Sequence, residues 1–516
     1  MNKAAIACAL ASAFLCSASA RAAPPEIEIE RLLHQWRIED AKRRADALVK
    51  KNPRQPRYLA ALGLVDFYRG EYQSAEKKLK LALTKIQYPS RRLRAQLALV
   101  SSTAETVKGF VSRDSENGFF QIRTRPGKDE LLIHFAGKTL EAIRARLQRD
   151  LGYAPKDKIR VEIYAEPATL ARVSPLTKRD IERSGTVALC KYNRLMIVSP
   201  AALLRGYGWL DTLAHEYVHL VISRISNNAV PIWLQEGLAK YFETRWRQGR
   251  DKPPPLSPIQ GHLLADALRK RKLIPWAAMH PSMAKLPSQK ATTLAFAQVQ
   301  TAIAFIIERA KLDGLRQLLA AQRAGVSDWG AVQKITTLTK KGFQARYVQY
   351  LRSLKPRRMA GLAHHARRYG KKPTKEQRAK RIKAKKARDF FRLADMLRQR
   401  KLTQAAIIEY KKARAIVGDR DATIANALGR AYLEVDNPNQ AVNSLLPVLE
   451  YYPELAGAQT TVGVAYLRAG NRPAATKHLL VALRINPFNP EVHCGLARAL
   501  DDKREAARHA KICGRH

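Results

Sequence analysis

The stretch "WLDTLAHEYVHLVISRI", Trp209–Ile225, sets two histidines and a glutamate inside an apolar run. His215 and His219 stand four residues apart, so on an α-helix both imidazoles leave one face and reach a single Zn²⁺ ion. Glu216, beside the first histidine, is the candidate base that takes a proton from water. Leu213, Ala214, Val218, Leu220, Val221 and Ile222 occupy the other faces, which predicts a helix over Leu210–Ile225 sunk in a core. Alone, the pattern also suits an ordinary buried helix.

A hydrolytic zinc site needs a third protein ligand and one open position. "VPIWLQEGLAKYFE", Val230–Glu243, predicts a second helix, with Pro231 at its start and Trp233, Leu234, Leu238 and Phe242 on its apolar side; the helical pattern continues to Arg247. Glu236 lies 17 residues beyond His219 and is the candidate third ligand. A glutamate in an early helical turn, favoured by the helix dipole, is the plainer alternative. Gly237 and Ala239 are small, and are expected to let this helix approach the first one closely.

These two segments together resemble the gluzincin metallopeptidases, most nearly the bacterial peptidase-MA-like proteins that carry tetratricopeptide repeats. "SGTVALCKYNRLMIVSP", Ser184–Pro200, is similar to the strand pair before their active-site helix. "FAQVQTAIAFIIERAKLDGLRQLLAAQRAG", Phe296–Gly325, is similar to their later helical subdomain. The resemblance spans about Phe119 to Leu354 and implies His215, His219 and Glu236 as zinc ligands, Glu216 as general base, and a peptide or protein substrate. Phe296 departs from it, since tyrosine often precedes Ala-Gln in such relatives and phenylalanine donates no hydrogen bond to an oxyanion. Tyr241, Tyr192 and Tyr207 are candidate replacements, and Asp211 and Glu243 are candidate partners for the outer nitrogen of a ligand histidine.

Around this centre, "FFQIRT", "IRVEIYA", "TVALC" and "RLMIVSP" read as strands and the later segments as helices. An α+β zinc-peptidase domain, a small sheet plus helices, is therefore expected over residues 112–355, with strands first and helices after. Both flanks repeat. Leu428-Gly429, Tyr432, Ala441, Leu445 and Pro453 recur as Val462-Gly463, Tyr466, Ala475, Leu479 and Pro487, each shifted by 34 residues, the period of the tetratricopeptide repeat. A further unit fits at Leu393 to Tyr410, giving a C-terminal repeat domain over 389–516. Leu62-Gly63, Tyr72, Ala75 and Leu79 carry a weaker version within 26–108, and two units bury too little alone, so this block is expected to pack on its neighbour.

Residues 356–388 form a basic linker, and Arg357–Arg388 holds 14 Lys/Arg against the single acid Glu376. It is expected to be a mostly solvated helix, with an anionic envelope surface as its candidate partner. The whole chain carries 93 Lys+Arg against 44 Asp+Glu, a net charge of +49, which favours anionic surfaces. Residues 1–22 read as a signal peptide, with Lys3, an apolar run from Ala4 to Leu15 and small residues before Ala23. Export to the periplasm or medium follows. Nucleic acid is then not an expected partner, and no other segment is expected to cross a membrane.

Beyond the leader, Cys190, Cys494 and Cys513 remain, and the last two are close enough in sequence to pair. No CxxC or Cys/His cluster suggests a structural metal. The expected function is an exported zinc-dependent metallopeptidase whose repeats bind a protein partner. The competing expectation is a tetratricopeptide scaffold carrying a weakly active or inactive metal-binding fold.

Overall fold

The computed structural model describes residues 24–248, 253–364 and 374–514. The expected signal segment, and residues 365–373 of the expected linker, lie outside the described residues.

The described chain opens with α1 (Pro25–His34), α2 (Ile38–Lys51), α3 (Pro56–Arg69), α4 (Tyr72–Lys85) and α5 (Arg91–Val107). Ala41, Ala45, Ala75 and Ala82 are fully buried between the paired helices, where small side chains let the axes approach. The block packs on the next domain, through charge as well as apolar surface. Tyr72 Oη donates to Glu162 Oε1 at 2.6 Å, Tyr164 Oη donates to Glu162 Oε2 at 2.5 Å, and Arg194 lies 3.2 Å from the same carboxylate. Arg194 and Glu162 are almost wholly buried, and the guanidinium carbon sits 5.2 Å from the centre of the Phe67 ring.

The sheet comprises β1 (Val111–Asp114), β2 (Phe120–Thr124), β3 (Ile159–Tyr164), β4 (Ala188–Lys191) and β5 (Arg194–Val198), in the order β1-β2-β3-β5-β4. The inner pairs β2/β3 and β3/β5 are parallel and the edge pairs antiparallel. This corrects the expected order of strands first and helices after. The chain inserts α6 (Leu131–Leu151) between β2 and β3, because parallel neighbours need a long crossover. Its signal was legible in Leu132, Ala136, Leu140, Ile143 and Leu147, all fully buried at helical spacing. Short helices α7 (Pro167–Arg172) and α8 (Lys178–Ser184) then lead into β4.

Beyond β5 come α9 (Trp209–Ile225), α10 (Ile232–Phe242), α11 (Pro258–Lys270), α12 (Gln289–Arg323), α13 (Asp328–Thr336) and α14 (Lys340–Ser353). The second predicted helix stops at Phe242 rather than Arg247. By length and composition α12 could cross a membrane, contrary to the expectation that no further segment could. Two-thirds (67%) of its apolar window is buried, and a bend at Lys311, with φ 58°, interrupts it. Gly237 also serves a different neighbour from the one expected. A Cβ there would lie 2.8 Å from Ile303 Cγ1 and from the Val299 carbonyl oxygen, so the glycine admits α12, not α9.

The basic stretch resumes in α15 (Lys375–Ala379), followed by α16 (Lys385–Gln399), α17 (Thr403–Val417), α18 (Ala422–Glu434), α19 (Pro438–Tyr451), α20 (Ala456–Arg468), α21 (Arg472–Ile485), α22 (Pro490–Ala499) and α23 (Lys503–Cys513). The end of the expected linker is not a solvated helix: α16 starts inside it, and Ala379, Ile382 and Ala387 are buried against the repeats. Gly463 is where α20 meets α21; a Cβ on it would come 2.6 Å from Leu479 Cγ. Leu479, Ala482, Leu483, Val492 and Leu496 belong to the same core as Trp209, Leu213 and Leu140, so the last repeat helices complete the central domain. Cys494 and Cys513 are disulfide-bonded across α22 and α23, while Cys190 is free.

Candidate metal centre

Helix α9 carries His215 and His219 on one face, and α10 brings Glu236 up to them. His215 Nε2 and His219 Nε2 are 3.1 Å apart, and Glu236 Oε2 lies 3.4 Å from the first and 3.5 Å from the second. Among the described residues these three form the cluster of donors able to hold a metal. A tetrahedral centre with bonds of about 2.05 Å holds its ligand atoms about 3.3 Å apart, so the triangle fits zinc. The side chains retain 12% (His215), 13% (His219) and 21% (Glu236) of their exposure, sunk yet reachable from solvent.

The outer nitrogens of the two histidines differ. His215 Nδ1 is 3.0 Å from Glu243 Oε2, and Glu243 is also gripped by Lys240. His219 Nδ1 is buried with no hydrogen-bond partner among the described residues. Of the two candidate carboxylates, only Glu243 serves the site. Asp211 accepts from Trp246 Nε1 at 2.9 Å and from Arg247 at 2.8 and 2.9 Å.

The electrostatics follow from burial and these partners. Burial disfavours charge on His215, but the Glu236 and Glu243 carboxylates outweigh it and raise its pKa to about 9. Burial also disfavours charge on Glu236, yet both histidines hold it well below the usual carboxylate range. Glu216 is 7% exposed, and burial raises its pKa despite the two histidines, moving it toward neutrality. Its carboxylate accepts from the Cys190 backbone N–H on β4. Side-chain patterns carried no signal for that contact, because the donor is main chain.

The structure keeps all three proposed tyrosines occupied elsewhere. Tyr207 donates to the Val198 carbonyl, Tyr241 Oη accepts from Arg245 at 2.7 Å, and Tyr192 packs 5.1 Å from Phe67. Phe296 does border the site, its ring centre 6.2 Å from that of His215, with Lys240 Nζ 5.8 Å from it.

Comparison with known families assigns the segment that holds this centre. The family model described as the peptidase MA superfamily matches residues 139–353. Residues 139–353 are a peptidase MA domain. Tetratricopeptide repeat models match residues 31–91 and 426–490, so repeats flank this peptidase MA domain on both sides. No curated protein matches the sequence. Among solved structures, yeast LTA4 hydrolase in complex with bestatin aligns at 13% identity and TM-score 0.28, covering 78% of this chain and 64% of that one. The APC/C hetero-tetramer Cut9-Hcn1 aligns at 10% identity and TM-score 0.26, covering 94% of this chain and 78% of that one. At such scores the peptidase MA assignment rests on the sequence match and on the fold described above.

Proposed function

We propose that this protein is an exported zinc-dependent peptidase. The observation that carries the reading is the convergence of His215 Nε2, His219 Nε2 and Glu236 Oε2 at zinc-ligand spacing, with Glu216 buried beside them. When bound, zinc supplies Lewis acidity and makes water acidic enough to act near neutral pH. Glu216 is the residue that would accept a proton from an attacking water and pass it to the leaving amine, a role suited to a carboxylate whose pKa burial has raised. Glu243 fixes the His215 ring through Nδ1, leaving Nε2 for the metal. Strand β4 is a sheet edge beside Glu216, and its outer side can align an extended polypeptide.

Export accords with the Cys494–Cys513 bond, which persists only where thiols are oxidised. The repeats supply surface for a protein partner, and the basic stretch for an anionic envelope surface. The deciding experiment measures zinc in the purified protein and peptide hydrolysis by wild type and Glu216→Gln. Stoichiometric zinc with activity lost only in the variant supports the reading. No zinc, or unchanged hydrolysis in Glu216→Gln, sinks it in favour of the scaffold.

A further inference from the structure

A cavity of about 530 Å³ opens between the first repeats and the peptidase domain. Helices α1, α3 and α5 line it, with Leu33, Leu64 and Val100 as an apolar floor. Its remaining wall is Tyr192, from the turn joining β4 and β5. Tyr192 has φ 55°, a left-handed conformation that bulky side chains rarely hold, and it stacks edgewise on Tyr68 at 5.6 Å.

The cavity is rigidly tied to the metal centre at two points. The hairpin that contributes Tyr192 also contributes the Cys190 N–H to Glu216, and its Asn193 is bound by Arg224 at the far end of α9. Asn228, just beyond α9, donates to the carbonyl of His34 at the end of α1. From Glu216 to Arg224 the helix rises about 12 Å, which an extended chain covers in about four residues. A polypeptide laid along β4 past Glu216 is thereby led toward the Tyr192 turn, the wall that this cavity shares with the peptidase domain.

We infer that the cavity is a substrate exosite, which rests on the peptidase reading. It takes a large apolar or aromatic side chain about four residues from the bond presented to Glu216. The apolar floor and the Tyr68 and Tyr192 rings select for that side chain. The rim selects for an acidic neighbour through Arg31, which is exposed there, since Arg92 and Glu30 balance each other in an ion pair at 2.6 Å.

The test uses full-length protein carrying Glu216→Gln and a fluorescein-labelled peptide of about 16 residues, alternating Phe and Asp, long enough to run from Glu216 through the cavity. Gln96→Trp fills the cavity from a half-buried position, and Arg31→Glu reverses its rim. Each is expected to weaken binding about tenfold, and a Ser/Lys peptide is expected to bind as weakly to all forms. With Glu216 restored, Gln96→Trp is expected to raise KM about tenfold on the long peptide and leave kcat, and the cleavage of tetrapeptides, unchanged.

Equal affinity for both peptides, or no effect of Gln96→Trp on either measurement, overturns the exosite while leaving the peptidase reading intact. Binding that depends on Gln96 in a protein that cleaves nothing overturns the peptidase reading instead and leaves a docking site. Binding seen only after residues 1–22 are deleted assigns the cavity to the chain's own N-terminal segment and overturns the inference.

Discussion

Glu243 Oε2 lies 3.0 Å from Nδ1 of His215, on the side of the ring turned away from Glu236. Outer carboxylates of this kind orient a ligand histidine and are typically worth a factor of 10–100 in metal affinity. Glu243→Gln is therefore expected to weaken zinc binding about thirtyfold. Competition with a chromophoric chelator measures it, and an unchanged affinity would remove Glu243 from the site.

Phe296 borders His215 where a hydroxyl would be useful. Phe296→Tyr adds a donor toward the place where an oxyanion develops, and donors so placed are worth up to about 10²–10³ when fully aligned. Without evolved alignment, a rise of about tenfold in kcat at constant KM is expected. Steady-state kinetics on one peptide substrate decides it; a fall in kcat shows that the ring position is wrong.

The Glu162–Arg194 pair docks the first repeats onto the sheet from full burial. Removing one partner strands a buried charge, so Glu162→Gln is expected to cost about 3–5 kcal/mol. The double variant Glu162→Leu with Arg194→Met is expected to cost less than the single one. Urea unfolding of the three proteins checks the order.

Gly237 touches α12 backbone, which does not yield as a side chain end does. Gly237→Ala puts a methyl 2.8 Å from the Val299 carbonyl oxygen and is expected to destabilise by about 1–3 kcal/mol. Because Glu236 is the neighbouring residue, zinc affinity should fall with it. A melting temperature equal to wild type contradicts this.

His509 is buried at the joint between α6 and α23, its Nδ1 2.8 Å from Nδ1 of His493. Burial first, then His493, lowers its pKa to about 4. Between that value and the ordinary one of about 6.5 the unfolded chain takes up a proton that the fold refuses. Stability contributed by the neutral ring is thus complete above about pH 6.5 and is lost as pH falls toward 4, by about 3 kcal/mol. Unfolding midpoints at pH 7.5 and 4.5 should differ less in His509→Leu than in wild type.

The pattern of His215, Glu216, His219 and Glu236 was legible because a helix turns identical spacings into identical faces wherever it occurs. The 34-residue period was legible for the same reason, each unit meeting its neighbour as the last did. Helix α6 is legible in the same way, since its apolar positions lie at helical spacing between two strands. The partner of Gly237 was not legible, because a missing side chain does not say which helix takes its place. Nor were the occupied hydroxyls of Tyr207 and Tyr241, whose partners are near in sequence but are chosen by how the chain turns between them.

Local periodicity thus determined the elements, the repeats and the donor residues, since these depend on neighbours a few positions away. Tertiary structure alone decided that Glu243 rather than Asp211 holds His215, and that the last repeat helices share the central core. It alone set Tyr192 between a repeat groove and the strand beside Glu216. Those relations depend on which surfaces meet after burial, and burial is non-directional: it selects that an apolar face be covered, while only the packed chain selects by what.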